Sequence, residues 1–503
     1  MRNDRLPVLV GVGEVRANRK RMVAEAREPL ALILEALDLA GSPQLVAAAD
    51  AIYTVRTASW AYDELSVDVA VAVGATPSHR DDSPIGGQWP IRLLDRAATR
   101  IASGESSAAL IVGGEATASA TALLKAGVDP VADLGWSTRP GGPTPIDGTD
   151  LGSRAMQTAG LLLPTRVYPL YENRLQADLG LTPAENADWS ARLYADLSAV
   201  AATNPVAWNT SALSAEQVGT VTPKNRLVCE PYPLSMNALP FVDQAAAVIV
   251  TSLAAAEAAG VPADRIVHLH AAAGADDLPD VLARPKLGRS TPLADALTGA
   301  IDRAAVPTAD LDFVDVYSCF PVVPKLAGLA LGLPRETVLS ITGGHSSFGG
   351  PLNSYSLHSL ARAYARLRGT DKKGLVHANG GFLSYQHAVV LGGRPSGSEY
   401  GTGEVTTRAD GLEVADARDL GGTDVVVETA TVEYDRDGAP RQAFVVVRTE
   451  DGVRAAVATP RGDATAAAEW SLTARPTHVG QQALLTVNGG VPRLEVRDWA
   501  SRT

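Results

Sequence analysis

Residues 340–358 read SITGGHSSFGGPLNSYSLH, and twelve of these nineteen are Gly, His, Ser or Asn, the types that turns and ligand sites use. The Gly pairs 343–344 and 349–350 let a backbone approach a ligand closely. A β-rich run, 338–341, precedes them. After Asn353 and Ser354, a usual helix-start pair, Leu357, Leu360, Ala361, Tyr364 and Leu367 recur at helical spacing. The pattern predicts strand, Gly-rich loop and helix N-terminus, where unpaired N–H groups meet an oxyanion or phosphate. A tight turn needing positive φ fits the same residues. Tyr355 and His358 stand i, i+3 on the predicted helix and so share a side. Upstream, Tyr317 and Cys319 open a loop after an apolar run. A Tyr hydroxyl can donate to an oxyanion, although it titrates far above pH 7. Cys319 is either an acid/base group or a small buried thiol against Phe320. His345, His377 and His387 fall in loops or strand ends expected near one cleft, as site residues or as structural histidines.

The elements that must position these groups follow from hydrophobic periodicity. A Val- and Gly-rich strand at 8–15 leads to a helix at 28–41 and a strand at 49–55. A third apolar run spans 66–73, then come a helix at 90–102 and a buried strand at 108–112 ending Gly113-Gly114-Glu115. Near-continuous apolar strands alternating with helices mark a sheet covered on both faces. The stretch 123–225 breaks the pattern with loop signals and a helix at 184–201. It reads as an insertion over one face, shaping a substrate site or serving structure and assembly. The core returns at 240–253.

The order then repeats. EPLALILEAL from Glu28 matches TPLADALTGA from Thr291, and in both copies a helix leads to an Asp (Asp50, Asp312) and a short apolar strand. The copies lie about 265 residues apart, a period of domain duplication rather than of a solenoid. Two such halves facing each other leave a shared cleft at their strand ends. The polar, Gly/Ser-rich segment 394–404 reads as a linker. Beyond it, β-rich runs at 424–434, 442–449, 453–459, 482–487 and 493–496, with Asp-Gly hairpin signals, predict a small closed β-barrel.

A chain of 503 residues exceeds one core. Its net charge of −12 and lack of a Lys/Arg block argue against nucleic-acid binding. The barrel repeats that argument, having only Phe444 and Tyr434 as strand aromatics. Cys229 and Cys319 are the only cysteines, with no Cys-x-x-Cys pair for zinc, which points to a reducing compartment. Without a signal-like or membrane-spanning apolar run, the expected location is cytoplasmic. No Gly-x-Ser-x-Gly elbow supports a serine hydrolase, and no Gly-x-Gly-x-x-Gly follows the first strand to bind a dinucleotide.

Four places carry a family resemblance: the helix and strand at 86–115 ending IVGGE, YSCF from Tyr317, Gly349-Gly350-Pro351, and VHANGG from Val376. Over about residues 5–395 their order and spacing resemble the thiolase superfamily, closest to the sterol-carrier-type thiolase-like (acetyl-CoA acetyltransferase-like) proteins. The C-terminal module resembles the OB-like extra domain of a bacterial subgroup. The resemblance implies a duplicated five-layer α/β core with halves at 1–262 and 263–395. It places a loop insertion at about 121–235 and an OB-like barrel at 405–503. It also implies a homodimer through the core, unless the added barrel covers that surface.

Departures from the pattern are informative. The nucleophilic cysteine of thiolases belongs at the N-terminus of the first-half helix, where the dipole favours a thiolate, and that position falls near Gly87. Gly350 stands where Gly-His-Pro has its His. His377 or Ala378 stands where the last motif has its Cys. Ordinary Cys–Cys thiolysis is therefore not expected. The resemblance implies an acyl-CoA thioester as substrate or ligand and no covalently bound cofactor. It leaves Tyr317, Cys319, Tyr355 and His358 as catalytic candidates. His345, Gly349, Gly350, Asn353, His377, Asn379, Gly380 and Gly381 would surround the thioester, the last three offering donors to its oxygen or simply forming a turn. Some cysteine-less members of the superfamily are retro-aldolases that use tyrosines and a separate OB-fold partner; the alternative is a non-catalytic acyl-CoA binder or scaffold.

Overall fold

The computed structural model describes residues 3–148, 152–405 and 411–497. The start expected for the last module, at 405, abuts residues 406–410, which lie outside the described residues. The first-half strands are β1 (Pro7–Arg16), β2 (Ala51–Thr54), β3 (His79–Asp82), β4 (Ala108–Ala116) and β5 (Asp243–Ser252). The second half has β6 (Val267–Asp276), β7 (Phe313–Asp315), β8 (Lys373–Gly380) and β9 (Tyr385–Gly392). They form one path, β3-β2-β4-β5-β1-β6-β9-β8-β7. Read outward from its middle, each half repeats the other. β1 pairs antiparallel with β5, β5 antiparallel with β4, and β4 parallel with β2; β6, β9, β8 and β7 do the same. Strand pairing between the halves among the described residues is limited to Val8↔His268 and Leu9↔Val267.

Five layers result. Helix α1 (Pro29–Ala40) covers the outer face of the first sheet, burying Leu32, Ile33, Ala36 and Leu37. Between the sheets lie α2 (Trp89–Ser103) and a later helix, Tyr355–Leu367, in one apolar cluster with Leu93, Leu94, Ile101, Leu357, Leu360 and Leu367. Each such side chain withdrawn from water contributes about 1.5–3 kcal/mol. Helix α2 begins with Trp89-Pro90 and stops at Gly104, whose φ of 83° ends a helix without a Cβ penalty. The far face of the second sheet is covered by α5 (Thr291–Ala304), which shares an apolar cluster with α3 (Pro164–Asp178) and α4 (Pro183–Ala202) of the insertion. The helix Tyr355–Leu367 is α6. No helix among the described residues is long and apolar enough to cross a membrane.

The apolar run 66–73 lies in a helix, Leu65–Val73. One segment differs from the sequence reading: the run 338–341 forms no strand. It lies beside the end of β7, but the Asp315 carboxylate takes Ser340 Oγ at 2.6 Å, the Ile341 amide at 2.8 Å and Thr342 Oγ1 at 2.8 Å. Backbone pairing is reduced to the bond from the Val316 amide to the Leu339 carbonyl at 3.0 Å, and a side chain takes the donors of the residues that follow.

The C-terminal strands are β10 (Thr423–Tyr434), β11 (Pro440–Thr449), β12 (Arg454–Ala458), β13 (Gln482–Asn488) and β14 (Val491–Val496), in the order β12-β11-β10-β13-β14. All five predicted runs are strands, but they do not close: no ladder joins β12 to β14 among the described residues. Between β12 and β13 the chain forms α7 (Ala464–Ala468) and places Trp470 among Val425, Val445 and Val457, so side chains fill the gap that a barrel would close by backbone pairing. Both faces are buried along β11 and most of β10, while β14 is largely exposed. On β11, Ala443, Val445 and Val447 face that cluster, while Phe444 and Val446 join the core of the insertion. Polar groups fix the junction. Asn173 Nδ2 donates to the Ala430 carbonyl at 2.8 Å, Arg166 pairs with Glu433 at 3.0 Å, and fully buried Arg454 pairs with Glu428 while donating to the Leu282 carbonyl at 2.8 Å.

Candidate functional site

Gly87 lies just before α2. A Cβ there would stand 2.5 Å from Tyr317 Oη and 2.5 Å from the Asn379 carbonyl. The phenol of the second half thus fills the space of any first-half side chain. Tyr317 is buried, and its hydroxyl has no hydrogen-bond partner among the described residues. Burial, with Cys319 nearby, pushes its pKa far above the usual phenol value, so it remains a neutral donor.

Tyr317 belongs to an aromatic trio. The His345 ring stacks on Tyr355 at 3.6 Å and 24°, and lies 4.1 Å from Tyr317; Tyr317 and Tyr355 meet edge-on at 5.6 Å. The Tyr355 hydroxyl accepts from the Gly344 amide at 3.1 Å. Neither ring nitrogen of His345 has a partner among the described residues, and burial holds its pKa well below the ordinary imidazole value. An unsatisfied buried polar atom costs about 1–3 kcal/mol, so two on one ring mark an unusual place. The backbone that presents His345 is special as well. Residues Gly344–Phe348 form a π-turn, and Gly343 has φ 118°. A Cβ at Gly343 would stand 2.6 Å from Ala201 Cα, which explains the glycine: it admits α4 of the insertion. At Gly349, φ 117°, a Cβ would stand 2.5 Å from Gln244 Oε1. Gly350 donates its amide to the Leu239 carbonyl at 2.9 Å.

A second set of polar groups runs behind Cys319. Gln386 Oε1 can only accept, so His377 Nε2 carries its proton and donates to it at 2.8 Å. Gln386 Nε2 donates to Asn379 Oδ1 at 2.8 Å, Asn379 Nδ2 to Tyr168 Oη at 3.0 Å, and Tyr168 to the Gly381 carbonyl at 2.9 Å. Asn379 Nδ2 also lies 4.0 Å from Cys319 Sγ. Every direction in this chain is determined by its neighbours. Burial pushes the Cys319 thiol up to about 12, only partly offset by Tyr168, and lowers His377 to about 4. Both are neutral at pH 7, and Cys319 is no ready nucleophile.

The other candidates lie apart. His358 turns away from Tyr355: its Nδ1 donates to Glu14 on β1 at 2.9 Å, Glu14 also holds Arg362, and the ring packs on Phe348. Spacing of i, i+3 places two residues on one side of a helix, but two sheets flank α6 and the side chains diverge to different layers. His387 is held by Asp95 at 3.0 Å. Asn353 joins the halves, accepting from the Gly86 amide at 3.0 Å and donating to the Arg56 carbonyl at 2.8 Å. A Cβ at either Gly86 or Gly380 would run into the Gln88 carboxamide, which fits between them with its Oε1 unpartnered. On the solvent side of this loop a cleft of about 730 Å³ is lined by Arg56, Gly86, Gln88, Trp89, Arg92 and Gly381. The loop Gly86–Gln88 therefore stands between the cleft and the trio.

Sequence reasoning missed Tyr168, Gln386 and Gln88. Tyr168 and Tyr171 are i, i+3 on α3 and donate to the Gly381 and Phe382 carbonyls; Tyr194 donates to Ser318. The only advance signal was a run of tyrosines in the insertion, with nothing to say which loop they meet.

The duplicated sheets around two central helices are the thiolase fold, and the chain is similar to thiolase-like proteins that carry an additional C-terminal domain. Residues 410–483 match the family model described as the thiolase-like protein type 1 additional C-terminal domain. A monomeric SCP2-thiolase-like protein type 1 from Mycobacterium smegmatis is similar at 26% identity and a TM-score of 0.79, over 99% of this chain and 100% of that one. The Ltp2-ChsH2(DUF35) aldolase matches at 18% identity and a TM-score of 0.58, over 77% of this chain and 98% of that one. Human mitochondrial 3-ketoacyl-CoA thiolase matches at 16% identity and a TM-score of 0.54, over 77% and 98%. No curated protein matches at the sequence level.

Proposed function

We propose that this protein makes or breaks a C–C bond next to an acyl-CoA thioester, in aldolase fashion and without a covalent acyl-cysteine. The observation that carries the reading is the Tyr317 hydroxyl, a neutral donor without a partner among the described residues, in the space that a side chain at Gly87 would need. In the cleavage direction a base takes the proton of a β-hydroxyl. The O–H pair becomes the carbonyl of the departing aldehyde or ketone, and the Cα–Cβ pair moves onto the thioester as an enolate. Tyr317 donates to the enolate oxygen, and proton return to Cα completes the step. Neutral, preorganised donors suit charge that develops only in the transition state.

The test is a panel of acyl-CoA, 3-ketoacyl-CoA and β-hydroxyacyl-CoA esters with product analysis. The reading expects carbonyl release from a β-hydroxyacyl-CoA and no thiolysis of a 3-ketoacyl-CoA; thiolysis would overturn it. A second reading, acyl-CoA binding without turnover, has its own support in the Gly86–Gln88 loop standing between cleft and trio. Saturable CoA-ester binding with no product from any ester would establish it.

A further inference from the structure

We propose that His345 is the acid–base residue of this site, taking the β-hydroxyl proton and returning one to Cα; the assignment rests on the aldolase-type reading above. Three observations point to it. First, both Nδ1 and Nε2 are buried without a partner among the described residues, whereas His377, His358 and His387 each spend a nitrogen on Gln386, Glu14 or Asp95. An imidazole free on both nitrogens offers one lone pair and one N–H, the equipment for receiving a proton at one moment and delivering it at another. Second, the ring is fixed by stacking on Tyr355 and by the Tyr317 ring at a centroid distance of 4.1 Å, so it packs on the phenol whose hydroxyl is proposed to hold the enolate. Third, its backbone is anchored independently of the ring: the Leu239 amide donates to the His345 carbonyl at 3.0 Å. Gly350 lies against it, a Cβ there standing in ordinary contact at 3.5 Å from His345 Cδ2.

The titratable groups against the ring are the phenols of Tyr317 and Tyr355, with Cys319 acting on the first and Asp315 on the second. Burial keeps the imidazole neutral through the physiological range, so the base form is the resident form. Activity is then lost only as pH falls far enough to protonate His345, well below the ordinary imidazole pKa.

The experiment uses the full chain labelled with 15N-histidine, the His345 resonances identified by their loss in His345→Gln. Acetyl-CoA is titrated in, and turnover of a β-hydroxyacyl-CoA is followed against pH. The inference expects both His345 nitrogens to shift on acetyl-CoA binding. It expects His345→Gln to bind acetyl-CoA within about threefold of wild type while turnover falls by about 10²-fold or more, with the low-pH limb gone. Circular dichroism checks folding, and His345→Asn replaces the Gln variant if that one fails to fold. Binding without a His345 shift, or turnover kept within about threefold, overturns the inference and leaves the aldolase reading standing. A wild-type chain that turns over no ester overturns that reading and this assignment together.

Discussion

The two halves of the core share a strand order, yet they contribute to the site in opposite ways. At the head of α2 the first half presents Gly86 and Gly87, backbone without side chains. Around the head of α6 the second half crowds Tyr317, His345 and Tyr355 into mutual ring contact. Duplication preserved the scaffold, while side-chain chemistry became one-sided. The comparison teaches that a position without a side chain need not leave a cavity. At Gly87 the volume a side chain would take is occupied from the other half, which leaves no room for a nucleophile there and puts a hydrogen-bond donor beside it.

The strongest way to break this comparison is Tyr317→Phe. If the second half supplies the chemistry, turnover of a β-hydroxyacyl-CoA falls by about 10²–10³-fold with little change in thermal stability, as for loss of one oxyanion donor. Next comes Gly87→Cys, which restores a thiol to the first half. It should destabilise by about 2–4 kcal/mol in denaturant titration and give no thiolysis, because Tyr317 and a backbone carbonyl occupy the space. Adding Tyr317→Ala should recover part of that loss, and a stable, thiolytic Gly87→Cys protein would refute the asymmetry. Asn353→Ala removes both bonds from the second half to the first-half loop and should cost about 1–3 kcal/mol.

The smallest effect is expected at Cys319. Cys319→Ala should leave turnover within about threefold, and alkylation of the wild-type thiol should stay slow at pH 8. The sign of its contribution to stability is fixed by its raised pKa. Below the ordinary thiol value of 9.0 the protonated form is shared by folded and unfolded chains. Between there and about 12 only the unfolded chain releases the proton, so stability falls as pH rises through that window. His377 works in the opposite direction. Lowered to about 4, it stays neutral in the fold while the unfolded imidazole protonates below 6.5, so stability falls as pH drops from 6.5 towards 4. Unfolding titrations of Cys319→Ala and His377→Gln against wild type measure the two slopes.

Much of the scaffold was legible in sequence because its signals are local. All five C-terminal runs became strands, and the helices expected at 28–41, 90–102 and 184–201 formed as Pro29–Ala40, Trp89–Ser103 and Pro183–Ala202. Failures arose where a distant partner overrode local pattern. The β-rich run 338–341 lost its ladder to the Asp315 carboxylate, and the expected barrel lost its closure to α7 and Trp470. The Gly343-Gly344 pair, legible as a ligand-approaching loop, meets Ala201 and Leu197 of α4 instead.

Residue type and order by themselves determined the duplicated alternation, the strands of the last module and the absence of a cysteine at Gly87, because periodicity and identity need no third dimension. Which side chains meet was decided by tertiary structure. Glu14 captures His358 across 344 positions of chain, Tyr168 reaches Asn379 across 211, and Tyr317 faces Gly87 from the opposite half. Contacts of that range depend on how layers stack and helices rotate, and a helical spacing names the face of a residue without naming what that face will touch.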